Sequence, residues 1–100
     1  METIKRRLKV TIEQEVEIEI MPSMFFGETE EEYLKQFNEG LWPVDSLDDV
    51  IKYAAQTAVV DGGGNEHDGL GRVEAAHMKG TVDASVYFDE LSYEIESEFI

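Results

Sequence analysis

IKRRLKVTIEQEVEIEI, residues 4–20, alternates in a way that one kind of element explains. Ile4, Leu8, Val10, Ile12, Val16, Ile18 and Ile20 stand at even positions, and every odd position from Lys5 to Glu19 is polar. A period of two is the mark of a β-strand with one face on a core and the other turned to solvent or a partner. The outer face is itself divided: Lys5, Arg7 and Lys9 lead, Thr11 follows, and Glu13, Glu15, Glu17 and Glu19 close it. No catalytic motif elsewhere approaches this regularity.

Beyond Ile20, Pro22 has no amide to donate and ends the ladder, while Met24, Phe25 and Phe26 read as a lid turned inward. Thr29 and Glu32 make a capping box, and Glu28, Glu30, Glu31 and Glu32 crowd the positive end of a helix expected over 30–38, with Gly40 as its stop. Such a run is first of all a solvated, dipole-matched first turn. Trp42-Pro43-Val44 is a linker, with Trp42 read as a buried hinge plug. Asp45 or Ser46 caps a second helix, whose face of Leu47, Val50, Ile51, Ala54, Ala55 and Ala58 is small enough to lie on a sheet; it ends near Val60. The stretch 61–71 holds five glycines and reads as a mobile, exposed loop.

From Arg72 the period of two returns. Val73, Ala75 and His77 share odd parity and Val82, Ala84, Val86 and Phe88 even parity, so a bulge or tight turn is expected at Gly80. Asp89-Glu90 interrupts again, before Leu91, Tyr93, Ile95 and Phe99 supply a last inward face with Glu94, Glu96 and Glu98 outside. The last two strands are expected to pair as a hairpin. The fold class is therefore α+β in a single domain over 1–100: a long N-terminal strand, two helices, then two or three antiparallel strands, with both helices on one face of the sheet.

One hundred residues without cysteine exclude a disulfide framework, a zinc-thiolate centre and a thiol nucleophile. No continuous apolar block is long enough for a signal peptide or a membrane span, so a cytoplasmic protein is expected. The net charge is −15, and it is unevenly placed: residues 10–100 carry 22 acidic side chains against Lys35, Lys52, Arg72 and Lys79, a net of −18. Such a chain repels nucleic acid and anionic membranes and attracts basic protein surfaces. A merely soluble acidic surface has the same composition.

Catalytic readings fare poorly. The glycine-rich segment lacks the Lys and Ser/Thr of a phosphate-binding loop, and Asp61, Glu66 and Asp68 would repel an anion. Asp61, Asn65, Glu66, His67 and Asp68 offer oxygens to a cation, but the spacing departs from the calcium-loop pattern, with Glu66 where Gly belongs and Arg72 where Glu belongs. Glu74 and His77 point to opposite faces of a strand, and no nucleophile elbow accompanies either histidine. No cofactor or metal is expected and the chain is read as a non-enzyme.

The carboxylates remain. Alternate residues on a strand lie about 6.6–6.8 Å apart, so Glu13 to Glu19 form a ladder of like charges and Glu94 to Glu98 another. Three arrangements accommodate them. The last strand can run against the first, setting Glu94, Glu96 and Glu98 opposite Lys9, Arg7 and Lys5. The first strand can pair with its own copy about Ile12, which makes a homodimer and consumes the charges. Or the carboxylates stay free and imitate a phosphate backbone.

Small size, absence of cysteine, a strongly acidic surface and no catalytic signature resemble the phage-encoded DNA-mimic inhibitors of the anti-restriction and anti-CRISPR type. That resemblance implies an inhibitor that occupies the nucleic-acid-binding surface of a host defence complex. The expected contacts are Glu13, Glu15, Glu17 and Glu19, joined by Glu28, Glu30 and Glu31 and by Asp61, Glu66 and Asp68 of the loop. The competing reading is a small homodimeric structural or adaptor module joined through the N-terminal strand.

Overall fold

In the computed structural model, which describes residues 2–100, the alternating stretch becomes β1 (Leu8–Ile20). A 3-10 turn at Pro22–Phe25 leads to α1 (Glu30–Gly40) and α2 (Leu47–Asp61), then to β2 (Asn65–His67), β3 (Gly71–Ala75) and β4 (Val86–Phe99). The four strands form one sheet in the order β1-β4-β3-β2. This is the α+β class that the sequence implies, with the N-terminal strand at one edge.

The sheet is mixed. β1 runs antiparallel to β4 and β2 to β3, but β3 and β4 are parallel, so the expected hairpin between the last two strands does not form. The chain leaves the sheet at Ala75 and crosses over through a 3-10 turn at Ala76–Met78, so that His77 is exposed and not a partly buried strand residue. Gly80 lies in this crossover and marks no bulge. Tyr87 fastens the crossover to the sheet: its hydroxyl donates to the Val82 carbonyl at 2.6 Å and accepts from the Ala84 N–H at 3.1 Å.

The real bulge is at Leu91. Glu15 pairs with Ser92 and Val16 with Glu90, leaving Leu91 as the extra residue of β4. Apolar positions in β4 change parity, from Val86 and Phe88 to Tyr93, Ile95 and Phe99, whereas β1 keeps even parity throughout. A single inserted residue brings both halves of β4 onto the same face of β1 and keeps the two strands paired end to end. Asp89-Glu90 is therefore no interruption.

Both helices lie on one face of the sheet. α2 contributes Val50, Ala54 and Ala58, α1 contributes Tyr33 and Phe37, and these pack with Met24, Val44, Leu70, Val73 and Val86, with Ile18, Ile20 and Phe88 at the margin. Burying side chains such as Val50, Val73 and Val86 stabilises the fold by roughly 1.5–3 kcal/mol each. Thr29 Oγ1 accepts the Glu32 N–H at 3.1 Å and caps α1. The Ser46 side chain makes no cap on α2; Asp49 reaches back instead, accepting the Asp45 N–H at 2.9 Å. Trp42 stands edge-on to Tyr53 at 4.5 Å and to Phe37 at 5.1 Å, but part of it reaches solvent, so it is less a buried plug than a cover.

The glycine-rich segment is not a free loop. Asn65–His67 pairs with β3, the turn that follows presents Leu70 to the core, and Leu70 is fully buried. Gly69, at φ +81°, lets the backbone pass against the Phe37 ring, and its carbonyl accepts the Tyr33 hydroxyl.

Only half of β1 reaches this core. Alternating burial begins at Gln14, and Leu8, Val10 and Ile12 stand exposed together with Leu91, Tyr93, Ile95 and Phe99. The inward faces expected for these residues are instead open on a ribbon that projects from the body. The extents of 61 × 33 × 24 Å and the radius of gyration of 17.3 Å record it; a compact chain of this length has a radius near 13 Å. Among the described residues no helix is long and apolar enough to cross a membrane.

Candidate functional site

The β1–β4 ribbon carries its acidic side chains on one face, except for Glu90 opposite Val16, because both strands alternate with the same period and the bulge keeps them in phase. Lys9 lies opposite Glu98, Thr11 opposite Glu96, Glu13 opposite Glu94, Glu15 opposite Ser92 and Glu17 opposite Asp89. The register differs by four residues from the charge-matched one. Two features of β4 fix it: Ile18–Phe88 and Ile20–Val86 are anchored in the body, and one extra residue is all that β4 inserts before the distal half. Lys5 and Arg7 are thereby carried toward and past the end of β4, and Lys9 alone of the three faces a glutamate within the strands.

The consequence is a double row of like charges. Glu13–Glu94 and Glu17–Asp89 are acidic pairs directly opposite one another, an arrangement that costs stability in a sheet. Thr11, Glu13, Glu94 and Glu96 together line a shallow depression on this face. Among the described residues the ion pairs are Arg72 with Glu74, at 3.3 Å, and Lys79 with Glu19. Glu13, Glu15, Glu17, Glu94 and Glu96 have no cation within that reach.

Not every expected contact joins the row. Glu19 is held by Lys79, whose ammonium also lies 5.8 Å from the centre of the Tyr87 ring. Glu28 accepts a hydrogen bond from the Gln36 amide at 2.8 Å, and Glu30 and Glu31 occupy the first turn of α1. Asp61 ends α2, Glu66 is in β2 facing Arg72, and Asp68 is in the turn that follows. Because β2 and β1 are opposite edges of the sheet, Glu66 is three strand spacings from β1, about 14 Å, and two from β4. The structure thus joins Glu13, Glu15 and Glu17 to Glu94, Glu96 and Asp89 rather than to the helix and loop carboxylates. Continuity of 86–99 as one strand, read together with the parity change, is the signal in the sequence that places them.

Around the loop, Asn65 Nδ2 donates to the Asp61 carbonyl at 3.4 Å. Among the described residues no three His, Asp or Glu side chains converge as a metal site would require. Phe26, read as part of an inward lid, is 66% exposed at φ 54°, while its neighbour Phe25 packs edge-on against Tyr33 at 5.1 Å.

Fold and site together define an α+β protein with a projecting, two-faced β-ribbon. Compared with known proteins, the chain matches no family model, no curated protein and no solved structure.

Proposed function

We propose that the chain is a non-enzymatic inhibitor that lays the acidic face of its ribbon on a basic, nucleic-acid-binding protein surface and so keeps nucleic acid from it. The observation that carries this reading is the double row Glu13, Glu15, Glu17 and Glu94, Glu96, Asp89, ordered on one face and without an ion pair among the described residues. Carboxylates about 6.6–6.8 Å apart along a strand and about 4.5–5.5 Å apart across it form a dense linear charge. A basic groove shaped for a phosphate backbone meets such a charge with complementary potential, which speeds encounter and disfavours other partners. Opposed acidic pairs weaken the free protein, so a partner that supplies cations relieves a cost built into the fold. The reading is that of a cytoplasmic DNA mimic of the phage anti-CRISPR or anti-restriction kind, acting without metal or cofactor.

The test is capture from nuclease-treated host lysate at low and high salt, comparing the wild type with the variant E13Q/E15Q/E94Q/E96Q. A nucleic-acid-binding protein retained by the wild type, released by salt and by competing duplex DNA, and lost by the variant is the expected result. Equal retention by the variant, or partners indifferent to DNA, rejects the proposal.

A further inference from the structure

β1 is an edge strand, and its open edge has a definite polarity. The Ile100 N–H donates to the Arg7 carbonyl at 3.0 Å and the Met21 N–H to the Ser85 carbonyl at 2.9 Å, so odd-numbered residues of β1 turn their backbone groups to β4. Leu8, Val10, Ile12, Gln14 and Val16 accordingly offer theirs to the open side. The strand contains no proline, and the ribbon's bulge is in β4. Of the devices that blunt an edge against further pairing, proline and a bulge are absent from β1, and its charges, Lys9 and Glu13 to Glu19, all stand on one face. The apolar face of the ribbon adjoins the same edge, with Ile12 52% and Ile95 56% exposed. With Leu8, Val10, Tyr93 and Phe99 it amounts to several hundred Å², on the order of the patches that mark an interface.

We infer that a second copy of this chain occupies the edge, its β1 running antiparallel to β1 about a two-fold axis through Ile12. Two features of the structure meet in that register. Lys9 falls opposite the partner's Glu15 and Arg7 opposite the partner's Glu17, so two carboxylates that pair with no cation among the described residues each gain one. Leu8 falls beside the partner's Val16. Val16 lines, with Gln14, Ala55, Gln56, Val59 and Val60, an open cleft of about 300 Å³ between β1 and the last turns of α2. Leu8 fills that cleft, twice by symmetry, and covers Val60, which is otherwise 80% exposed. A register about Thr11 keeps cations opposite carboxylates but sets Arg6 directly beside Val16, placing a guanidinium where the cleft is apolar.

Pairing of this kind neutralises Glu15 and Glu17 but leaves the rest of the acidic face unmatched. The axis stands perpendicular to the sheet, so both copies keep Glu13, Glu94 and Glu96 on the same side. The inference goes beyond the proposed inhibitory role and stands without it.

Light scattering and sedimentation of the purified chain test it with no partner or nucleic acid present. The wild type is expected at twice 11.4 kDa. R7E/K9E is expected to be a monomer of unchanged circular dichroism, and R7E/K9E/E15K/E17K to recover the dimer, because the reversed charges match again. Val60→Glu, at an exposed site that leaves the monomer fold intact, is expected to weaken association about tenfold or more. A monomeric wild type overturns the inference. So does a dimer indifferent to R7E/K9E, a reversal that restores nothing, or a Val60→Glu dimer as tight as the wild type.

Discussion

Glu13 and Glu94 stand directly opposite each other in the β1–β4 ladder, two carboxylates on one face with no cation between them. Two cross-strand pairs along the same face, beyond Thr11 and Glu96, Lys9 stands opposite Glu98. The same substitution at the two glutamates must therefore have opposite signs. Glu94→Lys replaces repulsion by attraction and is expected to stabilise by roughly 0.2–1 kcal/mol, a rise of a few degrees in Tm. Glu98→Lys sets two cations face to face and is expected to destabilise by a similar amount. Thermal unfolding at low salt, with hydrogen exchange of the β1 amides, reads both, and added salt shrinks both. Shifts of the same sign would contradict the register.

Gly69 and Gly27 share a positive φ, +81° and +78°, but not their surroundings. A Cβ at Gly69 would come within 2.5 Å of the Phe37 ring, whereas at Gly27 it would meet nothing within 4 Å. Gly27→Ala therefore carries only the backbone strain, about 1 kcal/mol. Gly69→Ala adds overpacking against an aromatic that is itself wedged between Tyr33, Trp42 and Tyr53, and is expected to cost about 2–4 kcal/mol in denaturant unfolding.

Leu70 shows how the sequence concealed part of the core. Strand β1 and the two helices were legible because their signals are local: parity in 4–20, a capping threonine at Thr29, small residues at helical spacing in α2. The segment 61–71 carries the opposite local signal, five glycines and several acids, and its one large apolar residue looks incidental. Its place is decided by tertiary contact, since β3 recruits Asn65–His67 and the turn then aims Leu70 inward. The acidic row was half legible for a related reason. Glu13, Glu15 and Glu17 follow from one strand, but their true neighbours Glu94, Glu96 and Asp89 depend on a register set far away at Ile20–Val86 and on one bulged residue. Leu70→Ala is expected to cost about 2–5 kcal/mol. Leu91→Ala, on the exposed ribbon, should stay within about 0.5 kcal/mol. Urea unfolding distinguishes them, and similar values for the two would mean that the turn does not enter the core.

Tyr33 joins the same turn to α1 through its hydroxyl, which donates to the Gly69 carbonyl. Burial, and after it the neighbouring Tyr53, pushes its phenol from the ordinary 10.0 up to about 12. The fold holds the neutral phenol, while the unfolded chain releases that proton from pH 10.0 upward. Protons bound by the native state and not by the unfolded one make stability fall as pH rises, so the contribution is complete below pH 10.0 and is lost on the way to about pH 12. Tyr33→Phe removes both the hydrogen bond and the titration. Near neutral pH the variant is expected to be less stable by about 0.5–1.5 kcal/mol. Between pH 10.0 and about 12 its stability should decline less steeply than the wild type's, and the two curves converge. Urea unfolding of both proteins across that window measures the difference, in which the three other tyrosines cancel. Parallel curves would show that the Tyr33 phenol titrates alike in the folded and unfolded chain, and the turn at Gly69 would then lack the shielded bond assigned to it.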